Sequence, residues 1–421
     1  MNILFLMADE FRRDAAGFGG NRVTRTPCLD RLAGSGRVYT NAYTPSPVCV
    51  PARQCLATGT FPFRNGCEGF HTDLPPGSPT FARWFAEHGY YTVACGKLHH
   101  RGPDQMQGWL HRIGSETAVR WPEKYGTRSQ IGRLSWRGAE DVRAAGPGIS
   151  PLGIHDDYTV QGACDFLRIH FRGDGMTPPD CPLLLMVSLQ QPHFPLLCDQ
   201  ELFEHYLPLV ELPPHLDPPD HPLLARTALD LDGSEVLRAR AAYAAMVEMT
   251  DRRFAAVLDA LQACGENPDD WLIVFASDHG DMLGDHACWE KRSFYEQSAG
   301  IPLFIRGPGF LPGCEERISN LVDLFPTLCE AAGLPTPEGL DGRSLRTPGS
   351  ETLSQLGTSH FMLRRGPWKY LNFGSEAPEV LFNLDTDPHE TRDASRSDEH
   401  SDILEMMRAR LREVLPAGRV A

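Results

Sequence analysis

Apolar runs in this chain repeatedly stop on polar residues without any alternation inside them. Leu4–Ala8 ends in Asp9-Glu10, and Tyr91–Cys95 ends in Gly96-Lys97-Leu98-His99-His100. Leu183–Leu189 ends in Gln190-Gln191-Pro192-His193, and Leu272–Ala276 ends in Ser277-Asp278-His279-Gly280-Asp281. An unbroken run of this length is a strand covered on both faces, the situation of a parallel sheet between helices. Helical stretches fall between the runs. A short one covers Pro27–Ala33 after Thr26, a second opens at Ser78-Pro79 and closes at Gly89, a third spans Ile154–Phe171, and the longest, capped by Ser234, spans Ser234–Cys264. Leu321–Ala332 supplies another. The order predicts an α/β fold, a large and mostly parallel sheet flanked by helices. Ligands of such sheets bind beyond the carboxyl ends of the strands, so the polar residues that end the runs are expected on one rim.

The other segments are less regular. Arg37–Tyr43 reads as a strand leading to the Cys49 loop, and Pro302–Arg306 as a further strand. Residues 101–150 read as an irregular insertion, and residues 195–233 as a Pro-rich loop. Between 101 and 143 stand eight Arg or Lys against five Asp or Glu, a basic stretch open to two roles, a solvated loop or a substrate-facing one. Beyond Leu334 come short strands (Trp368–Phe373, Val380–Leu384) and a last helix near Ser401–Leu415. The expected division is a catalytic domain over 1–335 and a small α+β subdomain over 336–421, an antiparallel sheet with a terminal helix.

Charge narrows the function. A net charge of −15 over 421 residues argues against nucleic acid and against anionic membranes as partners. No run reaches the length of a membrane span, and Ile3–Ala8 is too short for the apolar core of a signal peptide. The twelve cysteines include no C-x-x-C pair, and Cys95, Cys264 and Cys329 have apolar neighbours, as reduced core residues do. The expected compartment is the cytoplasm. A homo-oligomer is left open.

The chemistry centres on Cys49-x-Pro51-x-Arg53. Pro51 suits the first turn of a helix, which puts Cys49 at or just before a helix N-terminus, where free N–H groups favour negative charge. Arg53 offers a planar fork to a tetrahedral oxyanion. The strand ends supply two more sets. Asp9, Glu10, Asp278 and His279 are mainly oxygen ligands, suited to one hard divalent cation, with calcium ahead of magnesium or manganese. Lys97, His99, His193 and Lys291 are cations or proton carriers that would surround an anion. Such a set fits a sulfate- or phosphate-ester site.

With these residues in place, the chain resembles the type I sulfatases of the alkaline-phosphatase-like superfamily over nearly its whole length. The motifs that carry the resemblance are Cys49-Val50-Pro51-Ala52-Arg53 with Ala57-Thr58-Gly59, Gly96-Lys97-Leu98-His99, Pro192-His193-Phe194-Pro195, and Ser277-Asp278-His279-Gly280-Asp281 through Lys291. The resemblance implies that a formylglycine-generating enzyme oxidises Cys49 to an aldehyde, which works as its hydrate on a small-molecule or saccharide sulfate ester. It implies a cation held by Asp9, Glu10, Asp278, His279 and residue 49. It assigns Arg53, Lys97 and Lys291 to the sulfuryl oxygens, His193 with Lys291 to the leaving alkoxide, and His99 to the second hydroxyl. Two departures stand out: Glu10 where many members carry a second aspartate, and Ala52 where serine is commoner. The Gly96–Gln105 stretch and the Met362–Tyr370 tail resemble choline-sulfatase-like members, yet Gly69-Phe70 stands where an Asp-Asn step goes with choline recognition. A phosphodiesterase or phosphonate monoester hydrolase on the same scaffold is the alternative, as is a catalytically silent metal- or anion-binding protein if Cys49 remains a thiol.

Overall fold

This computed structural model describes residues 1–114, 116, 118–120, 127–129, 136–172, 181–347 and 349–419, with backbone alone for 118–120 and 127–129. Its centre is a sheet of eight strands: β1 (Ile3–Asp9), β2 (Arg37–Tyr39), β3 (Tyr91–Gly96), β4 (His111–Ile113), β5 (Leu183–Pro192), β6 (Leu272–Ser277), β7 (Leu303–Arg306) and β8 (Gly313–Glu315). The strand order is β8-β2-β7-β6-β1-β5-β3-β4, and only β7 runs against the rest.

Alternate residues of each central strand enter separate cores. Leu4, Leu6 and Ala8 join Leu183, Leu185, Ile273 and Phe275 on one face, beneath the helices Pro27–Gly34, Pro151–Arg172 and Gly233–Ala263. Ile3, Phe5 and Met7 join Leu184, Met186, Leu272 and Val274 on the other, against Leu56, Phe81, Phe85 and Phe325. Both faces are dry, which is why the runs show no polar alternation.

Register then decides what meets at the carboxyl edge. Ala8 pairs with Ser277, so the next residues, Asp9 and Asp278, emerge side by side. A register shift after Met7 pairs Asp9 with Pro192, which brings His193 to the same edge. Gly96 pairs with Ser188, so Lys97 follows one strand further along.

Several boundaries differ from the sequence expectation, each for a local reason. The long helix begins at Gly233, because Asp232 forms a reciprocal capping box with Glu235 and takes the place expected for Ser234. Thr80, not Ser78, accepts the capping N–H, so the second helix is Phe81–Glu87. Thr26 makes no side-chain cap to its helix; Asp251 of the long helix accepts the Cys28 and Leu29 N–H groups instead. Arg37–Tyr43 is broken into β2 and a two-residue strand, Ala42–Tyr43, that pairs with Ser319–Asn320. The Pro-rich loop holds a helix, Gln200–Tyr206, capped by Asp199. The irregular insertion contributes β4 to the edge of the main sheet and a short helix, Ala139–Arg143.

The C-terminal part is an antiparallel meander, β9 (Glu351–Leu356), β10 (His360–Arg365), β11 (Trp368–Asn372) and β12 (Val380–Asn383). Leu363, Tyr370 and Leu381 pack on Leu404, Met407 and Leu411 of the terminal helix Ser401–Val414. Their neighbours Met362, Leu371 and Phe382 pack on Tyr43, Phe294 and Tyr295 of the main body. Among the described residues no helix is long and apolar enough to cross a membrane.

Candidate active site

Cys49 opens the helix Cys49–Thr58, whose every residue is buried. Val48 is its extended N-cap, and Gly59 closes it at φ 66°, a left-handed position that suits glycine. The Cys49 Sγ lies 3.2 Å from His279 Nε2 and 4.0 Å from Asp9 Oδ1. Donor atoms of Asp9, Cys49, Asp278 and His279 all fall within 4.8 Å of one another. His279 Nδ1 faces the Gly280 carbonyl at 2.9 Å and so carries the ring proton, which leaves the Nε2 lone pair turned toward the cluster.

Glu10 stands differently. It joins Asp9 and His193 in a second group of potential ligands, outside the first. Its backbone is left-handed at φ 62°, and its carbonyl accepts the Tyr243 hydroxyl at 2.7 Å. Its Oε2 accepts from Lys291 at 3.0 Å, while Oε1 is buried without a hydrogen-bond partner among the described residues. Burial pushes the Glu10 carboxyl well above its usual range, even with Lys291 beside it. Asp9 is also fully buried, yet Lys97, His193 and Arg53 hold its carboxyl well below that range. Converging carboxylates, an imidazole lone pair and an orphaned carboxylate oxygen fit a hard divalent cation.

Arg53 is committed to protein. Its Nε donates to Asp278 at 2.7 Å, Nη1 to the Lys97 carbonyl and to Ser188 Oγ at 2.8 Å each, and Nη2 to Asp9 at 3.2 Å. The guanidinium fixes Asp9 and Asp278 and ties them to the Lys97 loop. Lys97 pairs with Asp9. Lys291 Nζ lies 2.7 Å from His193 Nε2, and His193 Nδ1 faces the Phe194 carbonyl at 2.7 Å. The proton of that contact therefore belongs to Lys291. Burial and Lys291 push the His193 imidazole well below its ordinary value, while Cys49 and Glu10 hold Lys291 well above its own despite burial. His99 sits beyond Lys97 at φ 60°, buried, with burial, Lys97 and Arg53 keeping its ring neutral.

Some residues of the site escape sequence reasoning. Ser188 anchors Arg53, and its signal is a lone hydroxyl inside an apolar run. Gln54 donates to the His99 carbonyl at 2.8 Å, and Asp156 accepts the Gln190 and Gln191 N–H groups. Nothing local marks either one. Arg120 and Arg128, the basic residues of the insertion that would test a substrate-facing role, have side chains outside the described residues.

The fold is that of solved sulfatase structures. The sulfatase family matches residues 1–334, and the chain belongs to that family. It is 30% identical to the choline-sulfatase of Rhizobium meliloti (strain 1021), over 92% of this chain and 81% of that one. It is 28% identical to an arylsulfatase of Clostridium perfringens, over 97% and 92%. Among solved structures, BT4656 in complex with its substrate D-glucosamine-2-N,6-O-disulfate superposes with a TM-score of 0.79 at 19% identity, over 98% of this chain and 97% of that one. The phosphonate monoester hydrolase of Agrobacterium radiobacter superposes with a TM-score of 0.78 at 22% identity, over 98% and 95%. The activity is that of a sulfuric ester hydrolase, acting on sulfate esters.

Proposed function

We propose that residue 49 acts as a formylglycine hydrate and that the rim around it carries out sulfuryl transfer to water. One observation carries this reading. Residue 49 opens a buried helix with its side chain among the ligand atoms of Asp9, Asp278 and His279, all within 4.8 Å of one another, so a hydroxyl placed there would sit at the candidate cation site. Asp9, Asp278, His279 and residue 49 would hold the divalent cation, with Glu10 adding its free Oε1. When bound, the cation supplies Lewis acidity that lowers the proton affinity of a hydroxyl on residue 49 and offsets sulfuryl charge. The carboxylate majority favours calcium or magnesium over zinc.

The chain's own residues then divide the work. A hydroxyl of the hydrate, its proton lost to solvent, attacks sulfur, and the bond from sulfur to the alcohol oxygen breaks. Lys97 and Lys291 face the charge of the sulfuryl group, while Arg53 keeps the carboxylates in register. The Lys291–His193 pair gives its proton to the departing alkoxide. His99 takes the proton of the remaining hydroxyl, the carbon–oxygen bond to sulfate breaks, and the aldehyde returns, to be hydrated again by water.

Residues 1–335 carry this chemistry in our reading, and 336–421 form a subdomain fastened to it. Every cysteine is free, which supports a reducing, cytoplasmic compartment. A formylglycine-generating enzyme is the maturation partner this requires. Arg101 stacks on Phe70 with its guanidinium carbon 4.3 Å from the ring centroid, beside His99. A cation already occupies that aromatic face, which disfavours a quaternary ammonium alcohol there. The test is the mass of the Cys49 peptide in active enzyme, lighter by about 18 Da if the aldehyde replaces the thiol. The phosphonate monoester hydrolase likeness favours a second reading on the same residues. A higher kcat/KM for an aryl phosphodiester than for an aryl sulfate would select it.

A further inference from the structure

We propose that Glu116, a residue of the insertion, is a positioning residue that shapes the His99 loop for its proton transfer. The proposal rests on the reading of His99 as the base of the collapse step. Glu116 is 1% exposed, and its carboxylate accepts three successive backbone N–H groups, from Leu98 (3.1 Å), His99 (3.0 Å) and His100 (3.4 Å). Consecutive N–H groups converge in this way only when the chain folds into a concave nest, which needs a left-handed residue in it. His99 is that residue, at φ 60°. A non-glycine residue held there is strained, and the strain persists only where its surroundings hold it. Without the carboxylate three buried donors would lose their acceptor.

The brace extends outward from Glu116. Arg112 Nη2 donates to Glu116 at 2.8 Å, and Arg112 Nη1 donates to the Gln105 carbonyl at 2.6 Å. The Gln105 amide in turn donates to the His100 and Gly102 carbonyls at 2.5 Å each. The His99 ring makes no such commitment: its Nδ1 is buried without a hydrogen-bond partner among the described residues. The imidazole is therefore aimed by its backbone together with the edge-on Phe70 ring 5.9 Å away, and that backbone is set by Glu116. The insertion thus serves the site from beneath.

The affected step is the collapse. A proton moves from the free hydroxyl of residue 49 to the His99 ring, the carbonyl forms, and sulfate leaves with the electrons of the carbon–oxygen bond. Attack and alcohol release precede it and do not use His99. Enzyme carrying Glu116→Gln, which keeps the side chain's size and one acceptor oxygen, is mixed with excess aryl sulfate. Phenol is followed by rapid quench, and intact mass is read in parallel. The expected result is a first turnover of phenol at the native rate, then a steady rate lower by about 10–100-fold. The enzyme should carry an adduct of roughly 80 Da over the hydrate, or about 98 Da over the aldehyde. Glu116→Asp, retaining the charge, should recover part of the steady rate. His99→Ala is run beside them. If His99→Ala shows no adduct, the reading of His99 fails. If His99→Ala accumulates the adduct while Glu116→Gln turns over like the native enzyme, or slows burst and steady rate alike, Glu116 has no positioning role.

Discussion

Two buried charge clusters in this molecule use the same residue types to opposite ends. At the junction with the C-terminal sheet, Lys369 Nζ lies 2.8 Å from Glu296 Oε1 and 2.7 Å from Glu390 Oε1. Glu296 Oε2 takes Arg13 at 2.5 Å and the Tyr43 hydroxyl at 3.1 Å, and Glu390 Oε2 takes the Glu296 N–H at 2.7 Å. Each carboxylate oxygen there lies against a cation or an N–H or O–H donor, Glu390 Oε1 through its ion contact with Lys369 alone, and the cluster fastens β11 to the main body. On the rim, donors converge on one point, and Glu10 Oε1 has no hydrogen-bond partner among the described residues. A buried charge cluster that satisfies itself is a fastening. One that leaves a carboxylate oxygen bare beside converging ligands is prepared for something to bind.

Substitutions should separate the two clusters. The largest effect is expected at Asp278→Asn, which removes a rim carboxylate that also anchors Arg53. Activity should fall by more than about 10³-fold, and the bound cation should disappear from metal analysis of the purified enzyme. Near-native turnover with a full complement of metal would dissolve the distinction. Lys369→Met comes next. It strips two buried glutamates of their common cation and should lower unfolding free energy by about 3–5 kcal/mol. At a temperature where the variant is folded, kcat/KM should stay within about twofold of native. Denaturant titration and steady-state kinetics on the same sample decide this, and lost activity at unchanged stability would make the junction part of the machinery.

Glu10→Gln sharpens the rim. If Oε1 is a cation ligand, calorimetric titration should show one site with affinity weakened by about 10–100-fold. Unchanged affinity would leave Glu10 as a tie to Lys291 and His193 alone. The smallest effect concerns the edge of the site. Arg101 over Phe70 should make choline sulfate a poorer substrate than an aryl sulfate by about tenfold in kcat/KM, the scale of one cation–π contact. Equal values would show that the alcohol half does not meet this pair.

The same comparison explains what was legible in the sequence. The rim was readable because strand ends are marked locally: Asp9, Lys97, His193 and Asp278 each follow an apolar run, and parallel pairing brings such ends together. The junction was not. Lys369 sits in an otherwise ordinary strand, and Glu296 and Glu390 meet it through packing of distant segments. Glu116 was hidden for the same reason, since a carboxylate in an irregular basic stretch gives no sign that it faces inward. Arg53 stands out by its motif, but its partners come from strands β1, β5 and the turn after β6, so its contacts could be read only from the fold. Helix ends shifted because capping is settled by which side chain reaches the free N–H groups, as Asp232 and Thr80 do.

The reading of residue 49 as an aldehyde hydrate is tested most directly by Cys49→Ser. Serine supplies one hydroxyl where the hydrate has two. With the cation and the rim lysines intact, that hydroxyl can attack sulfur once and release the alcohol, but no second hydroxyl remains for His99 to deprotonate. Incubated with excess aryl sulfate, the variant should release about one equivalent of phenol and keep an adduct of roughly 80 Da on residue 49. Repeated turnover at a near-native rate, with no adduct, would contradict the mechanism.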